Sequence, residues 1–366
     1  MTAILLDVSK TLASLKKGGQ KISWTKISNY RATKCAWFVS NYAALVDAQA
    51  VASVEESKAL PGTLVQKLFE IYFKAGLYEL PRKQVDLWFD INLYWMHHTI
   101  KYPAEASNLY NVFEWRKSAE AEQRVQIALD AGADYRVLDK IQPKFYNPAN
   151  LEGGNEAQFL EILRTALRKN WTMFDGLFKA PAKVSSETYL QATFMGKMTA
   201  NGQSDFMYNP HGLFASENSK GKPVKGFSIY DGKWNVSSWT DPDQLHFYAF
   251  IHMLRDRILP DRLAWLYWRE AEIIDVPVEP RRLEGLKSSL FAISTVVGKL
   301  LDEFEALSSS GQKTIDITQV ATVSLKYDRG GCKFCKLAGK CPEKQKYEPS
   351  AVASPSVGPI SQEISF

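Results

Sequence analysis

Two residues of the chain, Asp231 and Lys233, have types and a spacing that would suit phosphodiester hydrolysis. They end an apolar stretch that predicts a β-strand, and residues i and i+2 of a strand face the same side. The carboxylate and the ammonium group therefore project together, with the carbonyl of Gly232 between them. Carboxylate and carbonyl oxygens suit Mg²⁺ or Mn²⁺, and a lysine can position the attacking water or help to deprotonate it.

This chemistry needs a second carboxylate from a neighbouring strand, and Asp205 on the preceding strand-like segment is the natural candidate. Gln244 and Tyr248 lie four residues apart on the helix that follows, so they share one helical face. Each of these features also has an explanation that involves no catalysis. Most Asp-x-Lys pairs are solvated surface charges, and this Gln and Tyr alone would suit a helix start and a core position.

The elements that must position these residues alternate along the chain between helical and strand-like periodicity. The sequence predicts strands between 187 and 236, and Asp241–Pro242 is a helix-initiation signal. Helices are predicted at 59–81, 84–137, 156–178, 240–259 and 281–307, and one long strand at 263–280. The fold class is therefore α/β, a mixed central sheet flanked by helices, with a helical N-terminal half and a cysteine-bearing C-terminal extension.

The order of these motifs resembles the RecB-like branch of the PD-(D/E)xK nucleases, in which G-x-x-D, (D/E)-x-K and Q-x-x-x-Y follow one another. Here they are Gly202 to Asp205, Asp231 to Lys233, and Gln244 to Tyr248. The resemblance implies a restriction-endonuclease-like core. It also implies that the catalytic residues are Asp205, Asp231, Lys233, Gln244 and Tyr248.

An upstream segment is similar to the early helix motif of that family, G-x-x-x-H-x-x-x-E. Its glycine and glutamate are present as Gly62 and Glu70, but Gln66 stands where the family has a metal-binding histidine. Glutamine can offer an oxygen, although imidazole is the better ligand for softer divalent ions. The resemblance thus implies an Mg²⁺ or Mn²⁺ site formed by Asp205, Asp231, Gly232, Glu70 and Gln66.

Three of the four cysteines, Cys332, Cys335 and Cys341, lie close together near the C-terminal end. Their C-x2-C-x5-C spacing differs from a zinc ribbon, which would supply two C-x2-C pairs. The remaining cysteine, Cys35, is nearly three hundred positions upstream. Zinc bound by the three cysteines with a ligand from elsewhere is one interpretation, and a site that Cys35 shares is the other.

The iron–sulfur subset of RecB-like nucleases, which includes AddB-type, CRISPR-adaptation and exonuclease V-like proteins, has one cysteine before the nuclease motifs and three after them. The segment around Cys35 is similar to theirs, with Ala36 where proline is usual. The resemblance implies a 4Fe-4S cluster held by Cys35, Cys332, Cys335 and Cys341. Thiolates bind iron well, and Zn²⁺ stays as the alternative.

The domain organisation predicted from these segments is one nuclease domain over residues 1–345, followed by a disordered Pro- and Ser-rich tail at 346–366. Within the domain we expect a mainly helical part that carries Cys35, a catalytic α/β core and a cysteine segment. Their ranges are 1–180, 185–310 and 311–345.

Composition sets broader limits on compartment and partners. The net charge is +5, and the chain contains no run of about 18 apolar residues that would predict a membrane span. The start of the chain lacks the features of a secretory signal, so we expect the cytoplasm of a bacterial or phage-infected cell. For contacts with DNA phosphates and bases, the candidates are Lys220, Lys222, Lys225 and Trp234.

The function expected from this resemblance is an Mg²⁺- or Mn²⁺-dependent DNA exonuclease of recombination, repair or phage DNA metabolism. Its partner would be single-stranded DNA or DNA with free ends. Since the chain has no G-x-x-x-x-G-K-[ST] loop, unwinding would come from a separate helicase or recombination protein. A catalytically inactive RecB-like DNA-binding or assembly subunit is the alternative, and a zinc-binding interaction protein is a third hypothesis.

Overall fold

The structure is a computed structural model, and it describes residues 4–46, 60–74, 89, 152–153, 155–177, 183–195, 198–209, 226–236, 240–325, 335, 337 and 341. The chain forms two compact units. Unit 1 comprises Met1–Val51 and Ser289–Phe366, and unit 2 comprises Ala52–Ser288.

The described residues form strands and helices in the following order. The strands are β1 (Leu5–Asp7), β2 (Lys21–Ile22), β3 (Lys183–Phe194), β4 (Met198–Asn209), β5 (Ser228–Lys233), β6 (Arg262–Tyr267), β7 (Glu272–Val276) and β8 (Thr314–Asp316). The helices are α1 (Val8–Gly18), α2 (Trp24–Ala32), α3 (Lys34–Asn41), α4 (Leu60–Lys74), α5 (Glu156–Leu177), α6 (Pro242–Asp256) and α7 (Pro280–Ser309).

Unit 1 joins the two ends of the described chain. Strands β1 and β8 pair antiparallel, with Leu6 opposite Ile315. Helix α3 begins after Thr33, whose side chain accepts a hydrogen bond from the backbone N–H of Ala36 at 3.1 Å, which is a standard N-cap. The ring centroids of Phe38 and Phe304 lie 6.1 Å apart in its apolar interior.

Unit 2 is built on a mixed sheet in which β3, β4, β5, β6 and β7 are successive neighbours. The β5–β6 pair is parallel and the other pairs are antiparallel. Phe206 and Tyr230 belong to a buried core cluster with α4 and α5, and the rings of Phe69 and Trp268 stack at 5.2 Å within it. This arrangement confirms the predicted α/β class with a mixed sheet flanked by helices.

Three predicted helices are confirmed, because the predicted segments 156–178, 240–259 and 281–307 correspond to α5, α6 and α7. Helix α6 begins as its sequence predicts, with Asp241 as the N-cap and Pro242 in the first turn. Helix α4 accounts for the predicted segment up to residue 74. Residues 75–81, the predicted helical region 84–137 apart from Phe89, and the tail lie outside the described residues.

The single strand predicted at 263–280 is wrong. The segment forms two antiparallel strands, β6 and β7, in which Trp265 lies opposite Ile274. The chain reverses between them through residues 268–271, where Ala271 has a φ of 56°. This turn contains no Gly, Pro or Asn, the residues that usually mark such a reversal, so the apolar residues on either side appeared continuous.

No helix in the described ranges has the length and apolar character needed to cross a membrane.

Candidate active site

The pairing of β4 with β5 brings the two predicted carboxylates together. The register of the two strands ends at Phe206 opposite Tyr230, and Asp205 and Asp231 are the residues next to that pair, so their side chains face the other side of the sheet from it. Both side chains are nearly inaccessible, with exposed fractions of 9% for Asp205 and 3% for Asp231. Because buried carboxylates need compensating partners, their contacts indicate what the site can do.

Both carboxylate oxygens of Asp205 accept hydrogen bonds. The side-chain amide of Gln66 donates to one oxygen at 2.8 Å, and the backbone N–H of Gly232 donates to the other at 2.6 Å. Gln66 comes from α4 and Gly232 from β5. The helix motif and the two strand motifs therefore meet at this carboxylate.

Asp231 is held by residues of β5 and α6. The Lys233 ammonium lies 2.5 Å from one carboxylate oxygen. The other oxygen accepts hydrogen bonds from the Gln244 amide at 3.0 Å and from the Tyr248 hydroxyl at 3.3 Å. Helix α6 thus fixes the orientation of Asp231 through two residues, Gln244 in its first turn and the buried Tyr248.

The Tyr248 hydroxyl is a donor to Asp231 that keeps its proton. Burial raises the pKa of Tyr248, and the negative charge of Asp231 raises it further. The hydroxyl also accepts a hydrogen bond from the Gln244 amide at 2.9 Å. A phenol that stays protonated throughout the physiological range suits a positioning role better than proton transfer.

Lys233 is the most accessible charged group of this set. Its side chain is 24% exposed, against 4% for that of Asp231. The ammonium lies 3.5 Å from the Gln244 side-chain oxygen and 4.9 Å from the centroid of the Trp265 ring. It is thus held by a carboxylate and an aromatic face while part of it stays open to an incoming group.

Two glycines at the site have packing reasons that sequence analysis did not identify. A Cβ atom on Gly202 would lie 2.9 Å from two ring carbons of Tyr248. A Cβ atom on Gly232 would collide with the indole of Trp268. The glycine of G-x-x-D therefore makes room for the tyrosine of Q-x-x-x-Y, and the middle residue of D-x-K makes room for the core.

Glu70 lies on α4 one turn after Gln66 and is buried, with an exposed fraction of 7%. The ligand role of Glu70 stays a prediction.

Trp234 follows Lys233 directly and has a partner that the sequence does not reveal. Its indole N–H donates to Glu152 at 2.7 Å, and the other oxygen of Glu152 lies 2.6 Å from the Arg269 guanidinium. Gly62 of α4 adjoins the backbone of this residue, since a Cβ on Gly62 would lie 3.3 Å from the Cβ of Trp234. Glu152 and Trp234 are 82 positions apart, which no local pattern connects. Stacking of bases on Trp234 stays a prediction.

The described cysteines lie in unit 1. Cys35 is in the first turn of α3, and its sulfur lies 3.2 Å from the Thr33 hydroxyl. Cys335 and Cys341 are also buried, with exposed fractions of 8% and 7%, and none of these three cysteines forms a disulfide. The fourth predicted ligand, Cys332, lies outside the described residues, as do Lys220, Lys222 and Lys225.

The donor chemistry of the site fits a hard divalent cation. Asp205, Asp231, the Gly232 carbonyl and the Gln66 side chain offer oxygen, the ligand atom that Mg²⁺ and Mn²⁺ prefer. Within the part of the chain that the structure describes, no three His, Cys, Asp or Glu residues group together as a metal site. A cation here would therefore depend on amide, carbonyl or water oxygens in addition to the two aspartates.

No protein-family model matches this chain, and no curated protein matches it significantly. A function for the chain therefore has to be proposed from the contacts of these residues and from the order of their motifs.

Proposed function

We propose that this protein is a Mg²⁺- or Mn²⁺-dependent DNA nuclease of the RecB-like PD-(D/E)xK type, with a restriction-endonuclease-like core. One observation carries the proposal. Asp205 and Asp231 lie on neighbouring strands, each next to the Phe206–Tyr230 pair, and hydrogen bonds or ion pairs link them to Gln66, Lys233, Gln244 and Tyr248. Those residues are the ones that the ordered motifs predict.

In this proposal Asp205, Asp231 and the Gly232 carbonyl hold the divalent cation, with Gln66 and Glu70 assisting from α4. The cation would offset the negative charge that develops on the phosphate and make the attacking water more acidic. Lys233 orients that water and donates to a phosphoryl oxygen, where preorganised positive charge lowers the barrier.

Gln244 and Tyr248 act on the reaction through Asp231. Both donate to the same carboxylate oxygen, and so would fix the orientation of the carboxylate that would hold the cation. They are positioning residues in this proposal, since neither has to exchange a proton with the substrate.

We further propose that the substrate is single-stranded DNA or a free DNA end, degraded exonucleolytically in recombination, repair or phage DNA metabolism. The compartment would be the cytoplasm of a bacterial or phage-infected cell. A separate helicase or recombination protein would supply unwinding. These finer statements follow from the motif resemblance.

A 4Fe-4S cluster at Cys35, Cys332, Cys335 and Cys341 belongs to the same proposal. Its support is that three of these thiols are buried and that unit 1 contains both ends of the chain, as a cluster linking distant cysteines requires. Iron and sulfide analysis of anaerobically purified protein tests it. Zinc without iron in wild-type protein, unchanged by Cys35→Ser, would select the zinc alternative.

The nuclease proposal is tested on end-labelled single- and double-stranded DNA with Mg²⁺ or Mn²⁺. Lys233→Ala should lower the cleavage rate about 100-fold or more, by analogy with loss of one transition-state donor. Lys169→Ala, an exposed lysine on α5 of the same unit, is the matched control and should cleave normally. Equal rates for the two variants, both folded by circular dichroism, would overturn the assignment of Lys233.

A second candidate function is a RecB-like DNA-binding or assembly subunit without catalysis. Gln66 in place of the family histidine favours it, because the Gln66 amide donates its N–H to Asp205 and presents no lone pair there. DNA binding in EDTA, with no cleavage under any divalent ion, would select this candidate.

A further inference from the structure

The N-terminal segment 8–46 has a charge distribution unlike that of the rest of the chain. It contains no Asp or Glu, but it contains seven cations: Lys10, Lys16, Lys17, Lys21, Lys26, Arg31 and Lys34. The whole chain carries +5, so the remaining residues have a net charge of −2. This positive charge is therefore local, which is the form that matters for binding a polyanion.

Lys26 holds the elements that carry these cations together. Its ammonium donates to the backbone carbonyls of Gly18 at 2.7 Å and Lys21 at 2.8 Å, and so connects the end of α1 and β2 to α2. Burial, together with the positive charge of Lys21, lowers the pKa of Lys26 to about 8. Like charges are thus close enough here to affect one another.

Several of the remaining cations are exposed to solvent. Lys10 and Lys16 form ion pairs with Asp7 at 3.3 Å and Glu305 at 2.9 Å. Among the described residues, no carboxylate forms an ion pair with Lys17, Lys21 or Lys34, and all three are exposed. Their charge is available to an external ligand.

Aromatic rings alternate with these cations. The Arg31 guanidinium lies 5.8 Å from the centroid of the Trp24 ring, and the Lys34 ammonium lies 5.9 Å from that of Tyr30. Both rings are partly buried, and that of Tyr30 makes an edge-to-face contact with Trp37 at 5.4 Å. Trp24 and Arg31 are seven positions apart, two turns of α2, and so share one face.

We infer that this basic surface binds single-stranded nucleic acid independently of the candidate active site. The basic surface is defined by Lys17, Lys21, Trp24, Tyr30, Arg31 and Lys34. Its cations would contact the phosphate backbone, and the accessible parts of its rings would stack on unpaired bases, a combination that recognises single strands without sequence preference. Duplex DNA and anionic lipid would satisfy the cations but present no unpaired base to the rings.

Charge reversal tests the phosphate contacts, using the full-length protein, a fluorescent oligothymidine and EDTA to prevent cleavage. The triple variant Lys17→Glu/Lys21→Glu/Lys34→Glu should bind at least about tenfold more weakly. The slope of the logarithm of the binding constant against the logarithm of the salt concentration should be less negative by about 2 in this variant. Each phosphate contact on a single strand contributes about 0.7 to that slope, and three are removed. The matched control, Lys169→Glu/Lys287→Glu/Lys313→Glu, changes net charge equally at exposed lysines elsewhere. Equal losses in both triple variants would overturn the proposal.

Trp24→Ala tests the stacking contribution. Affinity for the oligothymidine should fall about fivefold or more, whereas affinity for heparin, which has no bases, should be unchanged. Trp24→Phe keeps an aromatic face and should restore most of the binding, which controls for a folding defect. Unchanged oligothymidine binding by Trp24→Ala, equal losses for both polyanions, or preferential binding of anionic vesicles would contradict nucleic-acid binding. Because these assays contain no divalent ion, they do not depend on nuclease activity.

Discussion

The candidate active site of unit 2 and the basic surface of unit 1 differ in the sign of their charge and in its exposure to solvent. Asp205 and Asp231 are nearly inaccessible and held by hydrogen bonds from three elements. The cations of segment 8–46 are mostly exposed and come from one continuous stretch of sequence. A buried carboxylate must have fixed partners, whereas a surface that binds phosphates needs only accessible positive charge.

Because of this difference, we expect one region to contribute to cleavage and the other to the affinity for the substrate. A pair of aspartates repels a phosphodiester unless a cation lies between them, so the chemistry contributes little affinity of its own. A separate basic surface can supply that affinity without disturbing the geometry of the aspartates. The two regions should therefore respond independently to mutation, and the following predictions test that independence.

The largest effect is expected for Asp205→Asn. The side chain keeps its shape but loses its charge, so the site should hold a divalent cation poorly and cleavage should fall about 1000-fold or more, equivalent to several kcal/mol of barrier. Initial rates on end-labelled single strands measure this. Binding of the oligothymidine in EDTA should be unchanged, and a parallel loss of binding would show that the two regions are not independent.

Gly232→Ala should destabilise the protein by about 1–3 kcal/mol, because the added methyl group collides with the buried Trp268 indole. Gly298→Ala, on α7 in unit 1, is the control. A Cβ there meets nothing within 4 Å, so this substitution should stabilise by up to about 1 kcal/mol. Urea unfolding measures both. A stable Gly232→Ala protein would show that the contact between β5 and the core is not as tight as described.

Tyr248→Phe should have a moderate effect on activity and a small one on stability. It removes one donor to Asp231 while Gln244 still donates to the same oxygen, so we expect a stability loss of about 1 kcal/mol and roughly tenfold slower cleavage. The optimum pH of the residual activity should not move, because the hydroxyl stays protonated in this proposal. A shifted optimum would assign proton transfer to Tyr248.

The smallest effect concerns the pH dependence of stability. Burial lowers the pKa of His252, so below about pH 6.5 the unfolded chain gains a proton there that the folded one does not. Burial alone would raise the pKa of Asp256, but hydrogen bonds from His252 and Arg255 lower it to about 2. Its stabilisation is therefore present above about pH 4 and is lost as the pH falls toward 2.

Urea unfolding at pH 7 and pH 5 checks this prediction. The free energy of unfolding should fall on acidification in the wild type and fall less in His252→Gln, which cannot take up the proton. Identical losses in the two proteins would contradict the account of His252. The basic surface, which contains neither residue, should bind oligothymidine equally in both.

The elements that carry the site could be predicted from local patterns, because β5 and α6 each have their own boundary signals. The hairpin of β6 and β7 could not, since its turn uses Arg269, Glu270 and Ala271 in place of the usual turn residues. The hydrogen bond between Trp234 and Glu152 could not be predicted from the sequence either, because it depends on tertiary packing between residues that are far apart in the chain. The sequence predicted only that Asp205 and Asp231 lie on neighbouring strands, and the register of β4 and β5 shows that each adjoins the Phe206–Tyr230 pair.

The central claim is that Asp205 and Asp231 form a metal-dependent hydrolytic site. The most direct test is a Mn²⁺ titration of single-strand cleavage by the wild-type protein and by Asp231→Asn. The wild-type rate should rise from a negligible value in EDTA to saturation, and the variant should stay near the baseline at every concentration. Equal cleavage by the two proteins, or wild-type cleavage that persists undiminished in EDTA, would contradict the account.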